Sequence, residues 1–163
     1  MRAVIFFLLL VLPTASQATS CDSAAHRAFD FWLGNWQVYK PDGSIAGTNR
    51  VQQAHNGCVI TEQYSTASGF SGQSINIYDK QRKLWHQSWA DSSGSLLLLE
   101  GKALDDGMAL SGSSLQADGS ELRHQIRWTA LPDGTVRQLW QTKSQTTEWQ
   151  TVFDGHYRKL PEQ

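Results

Sequence analysis

The stretch LRHQIRW at residues 122–128 sets Leu122, His124, Ile126 and Trp128 against Arg123, Gln125 and Arg127. Large or apolar side chains recur at every second position, which is the repeat of a half-buried strand and not of a helix. The same alternation continues on either side. Trp85, Gln87 and Trp89 oppose His86 and Ser88, Val136, Gln138 and Trp140 oppose Arg137 and Gln141, and Trp149, Thr151 and Phe153 follow the same rule. Turn chemistry separates the segments: Pro41-Asp42-Gly43, Asn56-Gly57, Ser68-Gly69, Asp79-Lys80-Gln81-Arg82, Asp91-Ser92-Ser93-Gly94, Asp105-Asp106-Gly107, Asp118-Gly119, Pro132-Asp133-Gly134 and Ser144-Gln145-Thr146. Glycine supplies positive φ in such turns, while Asp and Asn hydrogen-bond their own backbone.

These nine turns divide the chain into ten segments, and hairpin-length links make consecutive strands antiparallel neighbours. Ten short strands in sequence leave two sheet edges to hide, and closing into an up-and-down barrel removes both. A β-sandwich is the alternative, but it ordinarily needs long crossovers that this chain lacks. Only residues 23–33 (SAAHRAFDFWL) have a helical character, suited to a short lid or plug. The expected fold is therefore an all-β, antiparallel barrel of about ten strands with a short N-terminal helical segment.

The first residues carry a different message. Arg2 precedes an apolar run at residues 4–12 (VIFFLLLVL), Pro13 ends it, and Ser16-Gln17-Ala18 places small residues at the cleavage-defining positions. That pattern predicts a secretory signal peptide over residues 1–18, with one barrel domain over 19–163. The run is too short to span a bilayer, which takes about 20 apolar residues. Removing Arg2 from 14 basic residues leaves 13 against 15 acidic ones. Such a balance points away from nucleic acid and from anionic membrane surfaces. The mature chain is expected to be secreted, into a periplasm, where Cys21 and Cys58 form a disulfide. Closing a loop of about 37 residues is worth about 4 kcal/mol at most by the chain-entropy model.

At residues 29–36 the sequence reads FDFWLGNW. Gly34-x-Trp36 at the opening of the first strand resembles the lipocalin and calycin signature. The longer string is similar to the opening of a secreted bacterial lipocalin-like family of unknown function. Further matching pieces are Gly57-Cys58-Val59-Ile60-Thr61-Glu62, Trp85-x-Gln87-x-Trp89, Arg127-Trp128, Val136-Arg137-Gln138-x-Trp140 and Phe153-Asp154-Gly155-x-Tyr157-Arg158. The Ser144-Gln145-Thr146-Thr147 stretch departs from an Asp-Gly-Gly turn common in that family. The resemblance implies that Gly34 and Trp36 close one end of the barrel while Arg158, from the last strand, packs across the tryptophan. It implies no activity, since fold does not determine function.

If the large residues face inward, the same parity carries Glu62, Gln87, His124 and Gln138 inside with Trp85, Trp89, Trp128, Trp140 and Trp149. A few converging polar groups among aromatics describe a pocket for a small apolar or amphipathic molecule. The bland counterpart is a filled core in which those groups bond one another. Ten strands leave more lumen than eight, which favours a cavity. Haem is an alternative occupant, with His124, His86 or His156 as the iron ligand. An isomerase or cyclase pairing Glu62 with His124 is another. No hydrolase elbow, metalloprotease motif or phosphate loop occurs, and two carboxylates at Asp105-Asp106 are too few for calcium. No cofactor or metal is expected, and the oligomeric state is left open.

Overall fold

A computed structural model describes residues 21–161; the expected signal peptide lies outside the described residues. Ten strands form the domain: β1 (Gly34–Tyr39), β2 (Ile45–Ala54), β3 (Val59–Ser65), β4 (Ser71–Asp79), β5 (Leu84–Asp91), β6 (Leu96–Leu104), β7 (Gly107–Leu115), β8 (Glu121–Ala130), β9 (Val136–Lys143) and β10 (Gln150–Lys159). Each pairs antiparallel with its sequence neighbours, and β1 pairs with β10, so the sheet closes on itself. The result is an up-and-down, lipocalin-like barrel. Closure satisfies every edge. Eight of the nine turns contain or directly follow Gly, Asp or Pro, and the ninth, between β9 and β10, falls at the Ser144-Gln145-Thr146 stretch.

One end of the lumen is filled from outside the sheet. The helix α1 (Ala24–Arg27) and a single 3-10 turn at Asp30–Trp32 carry Phe29 and Trp32 inward, and both are wholly buried. Their rings stack at 5.0 Å and 19°. Phe29 meets Trp128 and Trp85 edge-on at 5.2 and 5.6 Å. Such pairs contribute about 0.5–1.5 kcal/mol each beyond the area they bury. Trp36 donates its indole N–H to the Trp32 carbonyl at 2.9 Å, fixing the plug to β1. The indole N–H groups of Trp32 and Trp128 are buried without partners, a cost of about 1–3 kcal/mol each that the aromatic burial must exceed.

The plug is also tethered. Cys21 is joined to Cys58, in the turn between β2 and β3, and the Arg27 guanidinium donates to the Gly57 carbonyl in the same turn. Trp85 donates to the Ala25 carbonyl at 3.1 Å. These bonds hold the short helix across the barrel base, where a helix of four residues would not persist alone.

Two sequence expectations need correction. The basic group over the Trp36 ring is Lys159, 5.4 Å from its centroid, while Arg158 lies over Tyr39 at 4.9 Å. Trp36 pairs with Lys159 in the sheet and Gln37 with Arg158. Trp36 and Tyr157 face the lumen, so strand parity turns Arg158 outward. The alternation of Trp149, Thr151 and Phe153 is also broken. Thr151 pairs with Gln141 and Phe153 with Trp140, leaving Val152 as a bulge. One extra residue reverses the facing of everything before it, so Thr151 is exposed and Trp149 stands outside β10.

Reducing the tether tests its contribution. A Cys21→Ser, Cys58→Ser chain is expected to lose about 2–4 kcal/mol of unfolding free energy, measured by urea denaturation. Two reactive thiols in the untreated, oxidised protein would contradict the pairing.

Candidate functional site

Above the plug the lumen changes character. Asn49, Glu62, Ser74, Asn76 and Gln87 face inward from β2, β3, β4 and β5, all nearly or wholly buried. Asn49 Nδ2 and Ser74 Oγ donate to the two Glu62 carboxyl oxygens at 2.8 and 2.7 Å. Asn76 donates to Ser74 Oγ at 2.9 Å and to the Ile60 carbonyl at 3.1 Å, and accepts from Gln87 Nε2 at 2.7 Å. Across the barrel Tyr157 donates its hydroxyl to Gln138 Oε1. No cation among the described residues neutralises Glu62. Burial therefore pushes its carboxyl up from 4.5 to about 7, against the opposing pull of the Ser74 and Asn49 hydrogen bonds.

Beyond this layer, towards the turns that face away from the plug, lies a cavity of about 230 Å³. Its floor includes Glu62, Gln87, Gln138 and Tyr157, its walls Trp89, Trp140, Tyr64, Leu97, Ile126 and Phe153, and its rim Phe70, Asp91 and Val152. Gly72 makes room for the wall, because a Cβ there would collide with the Trp89 indole. Trp89 donates its N–H to Asp91 Oδ2 at 3.0 Å. Trp140 donates to His124 Nδ1 at 3.2 Å, and His124 Nε2 lies 2.8 Å from Ser114 Oγ. A donor at Nδ1 fixes His124 as the neutral Nε2–H tautomer. Burial pushes that imidazole below its ordinary value, in the same direction.

Of the nine residues expected to line a pocket, Glu62, Gln87, Trp89, Gln138 and Trp140 do so. His124 faces inward but stands behind Trp140. Trp85 and Trp128 also face inward, at the depth of the plug. Two inward steps separate Trp85 from Trp89, about 13 Å along a strand, so they belong to different layers. Trp149 is displaced by the Val152 bulge. His86 and His156 face outward, where they meet Glu100 and Asp154, so neither reaches the lumen. Glu62 and His124 have no hydrogen-bond partner in common and do not bond each other.

Several contributors escaped the sequence reading. Asn49, Ser74 and Asn76 are polar residues at inward positions, Asn49 beside the buried Val51, so hydrophobic alternation does not mark them. Ile75 and Ile77 on the outer face of β4 invert the usual pattern, being 54 and 36 % exposed. Tyr157 and Phe153 stand in the Phe153-Asp154-Gly155-x-Tyr157-Arg158 stretch, where period-two parity turns both inward. No protein-family model matches the chain, and no curated protein matches its sequence.

The buried carboxyl makes stability depend on pH. Below about pH 4.5 Glu62 is protonated in the folded and the unfolded chain alike. Between there and about pH 7 only the unfolded chain releases the proton, so stability falls as pH rises. The total is on the order of 3 kcal/mol. Glu62→Gln should therefore gain stability relative to wild type between pH 4.5 and 8, read by urea denaturation across that range. A difference that does not change with pH would show that Glu62 is not buried as described.

Proposed function

We propose that this protein is a lipocalin-like binding protein of an oxidising, extracytoplasmic compartment, holding a small apolar or amphipathic molecule in the open half of its barrel. The observation that carries this reading is the cavity of about 230 Å³ above the polar layer, walled by aromatics and floored by a few convergent polar groups. Ligand sites in proteins have that composition. The volume lies below the roughly 300 Å³ at which sites for drug-sized ligands begin, which favours a small occupant and disfavours haem. His124 is the one inward histidine of those considered for iron, and both its ring nitrogens are already engaged.

Membership of the secreted lipocalin-like family rests on the FDFWLGNW string and the motifs downstream of it. The Cys21–Cys58 disulfide supports an oxidising compartment, as does the composition of residues 1–18. Glu62, with a carboxyl near 7, also suits acid–base catalysis. That reading needs a second group that exchanges protons near neutrality; the groups bonded to Glu62 are an amide and a hydroxyl, and burial pushes the Tyr157 phenol on the same floor further above its ordinary value. Binding is the better fit.

Trp140→Ala and Gln138→Ala each remove one wall or floor contact while leaving the plug intact. Each is expected to weaken a bound small amphiphile by about tenfold, the loss of roughly 1.4 kcal/mol, measured by NMR titration. Unchanged affinity in both variants would place the ligand elsewhere.

A further inference from the structure

The cavity has a marked charge character. It is bordered by two carboxyls, Glu62 on the floor and Asp91 at the rim, and by no Lys, Arg or His among the described residues. Asp91 is ionised. Partial burial raises its proton affinity, but hydrogen bonds from Ser93 and Trp89 outweigh it and hold the carboxyl below its ordinary value. Between the two acids stand Trp89, Trp140, Tyr64 and Phe153. Both indole N–H groups are already spent, on Asp91 and on His124, so each tryptophan offers a ligand only ring carbon. Beside Glu62, the buried Asn49 Oδ1 has no donor. The interior is thus rich in negative and π-electron surface and poor in anything that would hold an anion.

We propose that the cavity recognises a small amphipathic cation, an amine or quaternary ammonium with a short alkyl body, and rejects carboxylates. This inference rests on the reading of the cavity as the ligand site and specifies its chemistry. Aromatic walls attract a desolvated cation through the ring quadrupole, most strongly at tryptophan. A cation on the floor also supplies Glu62 with the counter-charge it lacks. Binding then displaces the Glu62 proton to solvent and leaves a paired carboxylate. An anionic ligand would instead place two carboxylates in one poorly solvated site, where each raises the proton affinity of the other. At roughly 30 Å³ for a water-sized group, 230 Å³ holds about eight, enough for a trimethylammonium head and a two-carbon body.

Three probes of similar size separate charge from shape: choline chloride, its uncharged carbon isostere neohexyl alcohol, and sodium hexanoate. Each is titrated at pH 8 into the labelled, oxidised protein while the Trp89 and Trp140 indole N–H signals are followed by NMR. Choline is expected to bind at least about tenfold more tightly than neohexyl alcohol, with hexanoate weaker still. The preference for choline should shrink several-fold at pH 5.5, where Glu62 is protonated, and in Glu62→Gln and Asp91→Asn. If Glu62→Gln does not fold, the pH dependence of the wild-type chain supplies the same comparison. Equal binding of choline and neohexyl alcohol, or tightest binding of hexanoate, overturns the cationic assignment and leaves the cavity as a ligand site. No response to any of the three overturns the cavity reading and this inference with it.

Discussion

The stacked pair Phe29 and Trp32 is the contact on which the barrel's interior depends. Ten strands enclose more space than their own inward side chains fill, and here the deficit is met from outside the sheet. A short helical segment delivers two aromatic rings to one end, where they pack against Trp85 and Trp128. The Cys21–Cys58 bond and the Arg27 contact to Gly57 keep that segment in place. With one end sealed by aromatic packing, the remaining lumen need not be apolar. It can carry a polar layer and, above it, open space.

The polar layer is what distinguishes the upper lumen from an ordinary core. Glu62, Asn49, Ser74, Asn76 and Gln87 form one chain of hydrogen bonds across four adjacent strands. Buried networks of this kind are costly unless satisfied, and this one retains a carboxyl without a cation and an amide oxygen without a donor. Natural folds leave such deficits at functional sites. Replacing Glu62 by an apolar residue of similar volume would relieve the burial cost but would empty the site of its charge. The same deficit explains why stability and ligand preference should both respond to pH between 4.5 and about 7.

Much of this architecture was legible in the sequence because it rests on local signals. Period-two alternation at LRHQIRW and the Gly and Asp turns determine strand number, order and facing. Parity also placed Glu62, Gln87, His124 and Gln138 inside. Besides the inward polar residues of β2 and β4, three things were not legible. Depth along the lumen depends on the relative stagger of neighbouring strands, so Trp85 and Trp128 fell to the plug and Trp89 and Trp140 to the cavity. The bulge at Val152 follows no turn residue, and it displaced Trp149. Arg158 and Lys159 differ by one position, and only the pairing of β1 with β10 decides which crosses Trp36.

The open half of the lumen is tested most directly by a crystal structure of the oxidised protein in which the contents of the cavity are resolved. An open site holds ordered water or a bound molecule in contact with Glu62 and Gln138, between the Trp89 and Trp140 rings. Phe70, Val152 and Phe153 folded inward onto Glu62, with no volume left between the indoles, would contradict it.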